Sequence, residues 1–425
     1  MSTALRAGYK LTDVGVIPID WDVKRISDLA TVSSGGTPSR ENATFWNGDI
    51  PWITTSKIDF NTIFEADEFI SETGLKNSAA KLFPTGTLLV ALYGQGKTRG
   101  KVAMLGFEAT TNQACAAISL FGNISRDYLL HFLISQYDAI RNSSNSGSQE
   151  NLNGQIVKDF LIVCPTSDEQ RAIAAALSDV DALLAKQGQL IAKKQGLKQA
   201  AMQQLLTGQT RLPGFSGDWE VKQLRELFSF SGGLSASRDQ LSDSGYCYLH
   251  YGDIHKSSKT FIDVDAEHMD IPKLTVRLGD VSPSAFLKDG DVVFVDASED
   301  DAGTSKHLVV VNPKNQPYIS GLHTIVAKSK ANTLDNKFKR YCFQTQSIKA
   351  QFLFFAVGTK VSGVSKTSIP KIELKFPSLP EQAAIGALLS DIDTEISALE
   401  ERQTKIRALK QGMMQELLTG RIRLI

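Results

Sequence analysis

The stretch from Glu169 to Leu212 is written again from Glu381 to Leu424. The first copy opens EQRAIAAALSDVDALL and closes KQAAMQQLLTGQTRL, and the second opens EQAAIGALLSDIDTEI and closes KQGMMQELLTGRIRL. At a constant offset of 212, 21 of 44 aligned positions are identical. This period is too long for a solenoid and matches a domain plus a connecting helix. The chain is therefore a duplication, and its function is expected to need two of something.

Both copies read as long helices. Ser167 or Asp168 can cap the first, with Gln170 in its first turn and Gly208 at its end. Pro380 and Gly420 bracket the second. Ile385, Ile392, Leu399, Ile406 and Met413 recur every seven residues. Leu389, Ile396 and Leu417 form the adjoining row, interrupted by Gln403 and Lys410. The first copy carries Ile173, Val180, Gln187, Lys194 and Ala201 on one row and Leu177, Leu184, Ile191, Lys198 and Leu205 on the other. Such rows make a coiled-coil seam, so the two helices are expected to pack on each other. Polar interruptions of a seam cost stability and can fix register. A helix of about 40 residues is ~60 Å long.

The segments preceding each helix correspond loosely. Trp21-Asp22-Val23-Lys24 answers Trp219-Glu220-Val221-Lys222, and Ser34-Gly35-Gly36 answers Ser231-Gly232-Gly233. LFPTGTLLVAL (82–92) answers FLKDGDVVFVD (286–296), each an approach, a glycine turn and an apolar strand. Helix-like stretches follow at 125–141 and roughly 336–353, then Gly/Ser/Thr-rich loops at 142–154 and 357–368. Each half then has a short strand ending in Pro165 or Pro377. Mixed strands with few short helices predict α+β domains. The helices are alike while the domains differ, so a common framework carries two different variable parts.

Hydrophobic residues at 42% and charged residues at 22% are ordinary for a globular protein. Lys plus Arg and Asp plus Glu are 46 each, which argues against a broadly basic coat but not against a local basic groove. Cys115, Cys164, Cys247 and Cys342 show no C-x-x-C spacing, so neither a zinc site nor a disulfide framework is expected. No window is apolar enough to span a bilayer, and a cytoplasmic location is the expectation.

Gly94-Gln95-Gly96-Lys97-Thr98 resembles the end of a phosphate-binding loop, but Ala91 stands where that pattern needs its first glycine. The loop is better read as presenting Lys97, Arg99 and Lys101 with no acid among them. Such a cluster can neutralise phosphates or be a plain solvated charge run. Tyr93, Gln95 and Thr98 add groups able to meet base edges. Gly35-Gly36-Thr37-Pro38-Ser39-Arg40 is a tight turn with hydroxyls and one Arg. Trp46 and Trp52 are expected in the core, with Thr54, Thr55, Ser56 and Lys57 exposed beyond them. Cys115 is expected to be a small buried residue. His250, His255 and His268 lack a usual metal spacing. The acidic loop Asp296-Ala297-Ser298-Glu299-Asp300-Asp301 could hold Mg²⁺, accept from cytosine N4, or brace a nearby lysine. No catalytic set and no metal centre is identified.

Taken together the residues resemble the specificity (S) subunit of a type I restriction–modification enzyme. The strongest parts are the paired EQ-x-x-I…LSD-x-D…LLTG-x-x-RL helices, then GGTPSR, FWNGDIPWITTSKI, LYGQGKTRGK and TNQA. Weaker matches are SGGLSASRD, YGDIHK and DASEDDAGTSKH. The resemblance implies a target-recognition domain at 1–165, a spacer helix at 166–210, a second recognition domain at 211–377 and a second spacer at 378–425. Each recognition domain would read one half of an interrupted double-stranded DNA site. The helices would form an antiparallel spacer and dock two methyltransferase subunits, which restriction subunits join. S-adenosylmethionine, ATP and Mg²⁺ would act on those partners, with no cofactor and no catalysis on this chain. A ~60 Å helix would cover roughly 18 base pairs, and divergent readers predict an asymmetric target. The expected DNA-facing residues are Thr37, Ser39, Arg40, Lys57, Tyr93, Gln95, Lys97, Arg99 and Lys101 in the first domain. In the second they are Ser237, Arg238, His255, Lys256, Lys306 and His307. The expected seam is Ile173, Leu177, Leu184, Ile191, Leu205, Ile385, Ile392, Leu399, Ile406 and Met413. Two rivals stay open on the residues alone: a nuclease or nucleotide hydrolase, and a coiled-coil adaptor that binds only protein.

Overall fold

A computed structural model of the chain describes residues 7–94, 96–143, 151–257, 259–298, 305–356 and 362–424. The chain falls into two compact units, Met1–Gly188 with Glu401–Ile425, and Gln189–Glu400. Each is an α+β body holding a part of both long helices.

In the first unit a five-stranded sheet has the order Ala30–Ser34, Cys115–Leu120, Leu88–Ala91, Val102–Leu105, Thr62–Ile63. A four-stranded sheet has the order Glu68–Ile70, Trp46–Ile53, Ala109–Thr111, Leu82–Phe83. In the second unit the five-stranded order is Phe228–Gly232, Thr324–Ser329, Val292–Val295, His307–Val311, Phe261–Asp263. Its four-stranded sheet runs Leu241–Ser242, Lys273–Leu274, Tyr246–Leu249, Tyr318–Ser320. Both five-stranded sheets are antiparallel except at the last pair, which is parallel in each.

The two central strands explain the apolar runs seen in the sequence. Leu88 and Val90 face one core cluster, while Leu89 and Ala91 face another that includes Ile53, Ile58 and Phe83. Val292 and Phe294 likewise face away from Val293 and Val295, each pair in its own cluster. A strand covered on both faces has no polar side to present. The stretch expected as one helix at 125–141 is two, Arg126–Ser135 and Tyr137–Asn142, because Gln136 leaves helical geometry at ψ 14°. The later stretch is also two helices, Asn336–Cys342 and Gln346–Phe355, the second capped by Thr345.

The long helices span Ser167–Leu205 and Leu379–Leu417, 39 residues each. Gly208 (φ 73°) and Gly420 (φ 70°) take the left-handed conformation just beyond them, where a side chain would be strained. Within the first unit the early part of one helix lies antiparallel to the late part of the other, with Glu169 against Arg423 and Asp181 against Lys410. Within the second unit the roles reverse, with Glu381 against Arg211 and Asp393 against Lys198. Ile173, Leu177, Ile191, Leu205, Ile385 and Ile406 are buried, and Leu184, Ile392, Leu399 and Met413 are half-buried. The heptad rows therefore face inward.

The lysines that interrupt those rows are paired across the seam. Lys410 Nζ donates to both carboxylate oxygens of Asp181 at 2.6 and 2.7 Å, and Lys198 lies 2.6 Å from Asp393. The offset of 212 carries one pair onto the other with the helices exchanged. The same exchange governs the helix ends. Arg423 donates to Glu169 at 2.6 and 2.7 Å and to Asp20 at 2.8 and 3.0 Å, and lies over the Trp21 ring. Arg211 forks onto Glu381 at 2.5 Å through two nitrogens and lies over Trp219. Gln170 bonds the Pro165 carbonyl and the Ser125 amide, both at 2.8 Å. Gln382 does the same to Pro377 at 2.8 Å and to the Asp335 amide at 2.9 Å. In each copy the repeated Glu-Gln and Arg-Leu thus tie a helix start, the opposite helix end and the adjoining sheet body into one joint.

Candidate nucleic-acid interface

At one edge of each unit the sheet strands hand over to loops, and backbone hydrogen bonds hold those loops together. In the first unit the Gly36 amide donates to Thr111 O at 2.9 Å, Asn112 to Ile53 O at 3.0 Å, and Leu92 to Ala114 O at 2.8 Å. In the second Leu234 donates to Ser320 O at 2.7 Å, Gly321 to Leu249 O at 2.9 Å, and Asp296 to His323 O at 3.2 Å. The three bonds and the strand registers match one for one. They set Arg40 against Arg238, Thr54 against His250, Lys57 against Asp253, Leu92 against Asp296 and Ala114 against His323. Val102 pairs with Val90 as His307 pairs with Phe294, which sets Lys101 against Lys306.

The glycine pairs permit this close approach. A Cβ on Gly35 would overlap the Thr111 carbonyl, and one on Gly233 would overlap that of Gly321. The strand registers place Gly35 opposite Gly233. That is one residue out from the sequence alignment, which set Gly35-Gly36 against Gly232-Gly233.

Most of the expected cations are there but already paired. Thr37, Ser39 and Arg40 are exposed. Arg40 stacks 3.7 Å above the Trp46 ring and pairs with Glu68. Trp46 is accordingly a half-buried platform and not core, whereas Trp52 is buried and donates to Gly36 O at 2.9 Å. Lys57 lies 2.6 Å from Asp67 and 3.4 Å from Glu65, and the Asp67 hydrogen bond foremost raises its pKa. Lys101 lies 2.5 Å from Asp59. Tyr93 is exposed, and Lys97 is exposed with no ion pair among the described residues. Gln95 lies outside the described residues.

Arg99 corrects the expectation of three free cations. It is 7% exposed, and its carbonyl accepts from Arg141 at 3.3 Å. The acid that pairs with Lys101, Asp59, comes from another segment of the chain, which spacing along the loop could not show.

In the second unit Ser237, Arg238 and Lys256 are exposed. Arg238 lies 2.6 Å from Asp253 and 3.3 Å from His250 Nδ1. Burial, then Arg238, lowers the His250 pKa. His255 is half-buried, and its carbonyl accepts from Lys306 Nζ. His307 is not at this surface. Its ring packs against Phe343 and Phe294 with centroids 5.1 and 5.8 Å away, and burial pushes its pKa down to about 4. It fills the core strand position that Val102 fills in the first unit, so its polar character misled the sequence reading. Glu299, Asp300, Asp301 and Thr304 lie outside the described residues.

The edge also gathers residues that the sequence did not single out as DNA-facing. Thr37 donates to Gln113, and Tyr251 is flanked by His250 at 4.6 Å, His323 at 5.4 Å and His255 at 6.2 Å between ring centroids. Gln113 and His323 occupy short loops between apolar strands, a place that sequence reading can find. Exposed ion pairs are worth about 0.2–1 kcal/mol, so a phosphate can take over Arg40 or Arg238 at small cost. Among the described residues no group of three or more His, Cys, Asp or Glu is placed to hold a metal ion. No described helix is long and apolar enough to cross a membrane.

The sequence profile of the type I restriction modification DNA specificity domain matches this chain twice, at 18–193 and 216–410. The MjaIX specificity subunit of Methanocaldococcus jannaschii is 29% identical over 257 residues, 55% of this chain and 57% of that protein. The MjaVIII specificity subunit of the same organism is 22% identical over 424 residues, 96% of this chain and 94% of its own length. The solved S subunit of a type I system from M. genitalium superposes with a TM-score of 0.57 at 15% identity, covering 96% of this chain and 97% of that one. That likeness bears on the fold.

Proposed function

The chain belongs to the type I restriction–modification DNA specificity family, and on that premise we propose that each unit reads one half of an interrupted DNA site. One observation carries the reading: the same loop edge is built twice on the same backbone bonds and furnished with different side chains. Thr54, Lys57, Leu92 and Ala114 in one unit stand where His250, Asp253, Asp296 and His323 stand in the other. A scaffold kept constant while its edge varies is what two different half-sites require. The target is then asymmetric. Thr37, Ser39, Arg40, Lys57, Tyr93, Gln95, Lys97 and Lys101 serve the first half-site, and Ser237, Arg238, His255, Lys256 and Lys306 the second. Arg99 acts by holding its loop.

Residues 1–165 and 211–377 are the two readers, and 166–210 and 378–425 the spacer that sets the gap. Two readers on one spacer convert the second binding event into an intramolecular one, so weak half-sites give high joint affinity. The outer faces of the spacer dock two methyltransferase subunits, and restriction subunits join that core. S-adenosylmethionine, ATP and Mg²⁺ act on those partners, and this chain is a non-catalytic, cytoplasmic subunit.

The test is a genome-wide map of N6-methyladenine in cells without other methyltransferases. They would express this chain with the methyltransferase encoded beside it. A single interrupted, asymmetric motif is the expected result. No motif, despite a stable complex and an intact methyltransferase, would refute DNA reading.

A further inference from the structure

His323 stands in an unusual backbone position for its size. Its φ is +58°, the left-handed region that most residues avoid and glycine fills freely. It is one of four described non-glycine residues with positive φ. Strain of this kind persists only where surrounding structure imposes it, and it collects at functional sites. Here the surroundings are explicit. The His323 carbonyl accepts the Asp296 amide at 3.2 Å, its Nδ1 lies 3.2 Å from Asp296 Oδ1, and the Tyr251 ring stands edge-on at 5.4 Å. The side chain is nevertheless 49% exposed, so this support does not serve burial.

We propose that His323 reads a base edge in the second half-site, with Asp296 and Tyr251 as positioning residues. The proposal rests on the reading of this edge as a DNA surface. With Nδ1–H donating to the facing carboxylate, Nε2 in that tautomer is an acceptor pointed away from Asp296. An acceptor matches a base amino group, adenine N6 or cytosine N4 in the major groove. The corresponding residue of the first unit is Ala114, whose methyl group offers no polar contact, and Leu92 stands there in place of Asp296. The device therefore exists in one reader only, and its loss must fall on one half-site.

The test uses the assembled complex with its methyltransferase and reads the methylated motif in cells. His323→Ala is expected to relax discrimination at one adenine or cytosine position of one half-site by on the order of tenfold, with the other half-site unchanged. His323→Gly relieves the backbone strain and removes the ring. It guards against loss of folding and is expected to relax the same position. Asp296→Ala should relax that position to a smaller degree, and Asp296→Asn, which keeps an acceptor oxygen, should restore it. An unchanged motif in both His323 variants overturns the proposal. Relaxation at a position lacking an amino group overturns the acceptor role. A wild-type complex without any interrupted motif is a separate result and sinks the parent reading instead.

Discussion

Replacing Arg423 by alanine is expected to loosen the first unit at the start of the first long helix. The Glu169 carboxylate is 3% exposed and holds three donors: two from Arg423 at 2.6 and 2.7 Å and the Trp21 indole at 2.9 Å. Without the guanidinium, a buried charge keeps one neutral donor. Breaking such a pair from one side costs about 3–5 kcal/mol when both partners are fully buried. Arg423 is 23% exposed, so water enters part of the gap, and about 3 kcal/mol is the expected cost. If opening is local, amide exchange over the first turns of that helix should quicken on the order of a hundredfold. Hydrogen–deuterium exchange read on peptides covering 166–180 measures it. Glu169→Gln alone leaves Arg423 its bonds to Asp20 and should cost less. The double variant should be more stable than the two single costs predict, by at least about 1 kcal/mol. Additive costs, or exchange within threefold of wild type for Arg423→Ala, would refute the argument that this pair holds the joint.

Four further outcomes are expected. Asp181→Lys should lower the denaturation midpoint, and Lys410→Asp in the same chain should restore part of it; since Asp181 is 44% exposed, the coupling should be about 1 kcal/mol. Lys97→Ala should reduce the slope of log affinity against log salt for the assembled complex by about one unit, while Arg99→Ala should change exchange of its loop first. His307 has its pKa pushed below the usual histidine value, so the stability it supports is complete above about pH 6.5 and is lost as pH falls toward about 4; urea titrations should show His307→Leu flattening that decline. Gly35→Ala should disturb the bond from Gly36 to Thr111 and weaken methylation of the motif, with helical circular dichroism retained.

Much of the framework was legible because repetition and periodicity survive in sequence. The heptad rows, the helix ends at Gly208 and Gly420 and the central strands 88–91 and 292–295 follow from patterns one element long. Long-range pairing left no local trace. Arg40, Lys57 and Lys101 read as DNA-facing cations with no partner in view, because Glu68, Asp67 and Asp59 sit elsewhere in the chain and meet them only after folding. His307 read as a polar surface residue because a neutral imidazole can replace valine in a core strand, and nothing next to it in sequence reveals that burial. His323 was missed for the opposite reason: Gly321-Leu322-His323 reads as a bare turn until the bond from Asp296 shows what it faces.

The long helices and the loop edges answer to different constraints. Glu169, Asp181, Lys198, Arg211 and the residues 212 positions on are bound to one another in exchanged pairs, so a change in one copy unbalances a partner in the other. The edge residues carry no such obligation. Thr54 can give way to His250 and Ala114 to His323 because the bonds that fix the loops are made by backbone atoms, which these side-chain changes leave in place. The duplication therefore keeps its helices similar for electrostatic reasons and frees its loops to differ for hydrogen-bonding ones. On this view exchanging Ala114 for His alone is tolerated by the first unit and alters the half-site it reads, whereas Leu92→Asp beside it would bury a carboxylate in the apolar core that Leu92 joins. A motif altered in the first half-site alone would support this, and a loss of methylation at both would count against it.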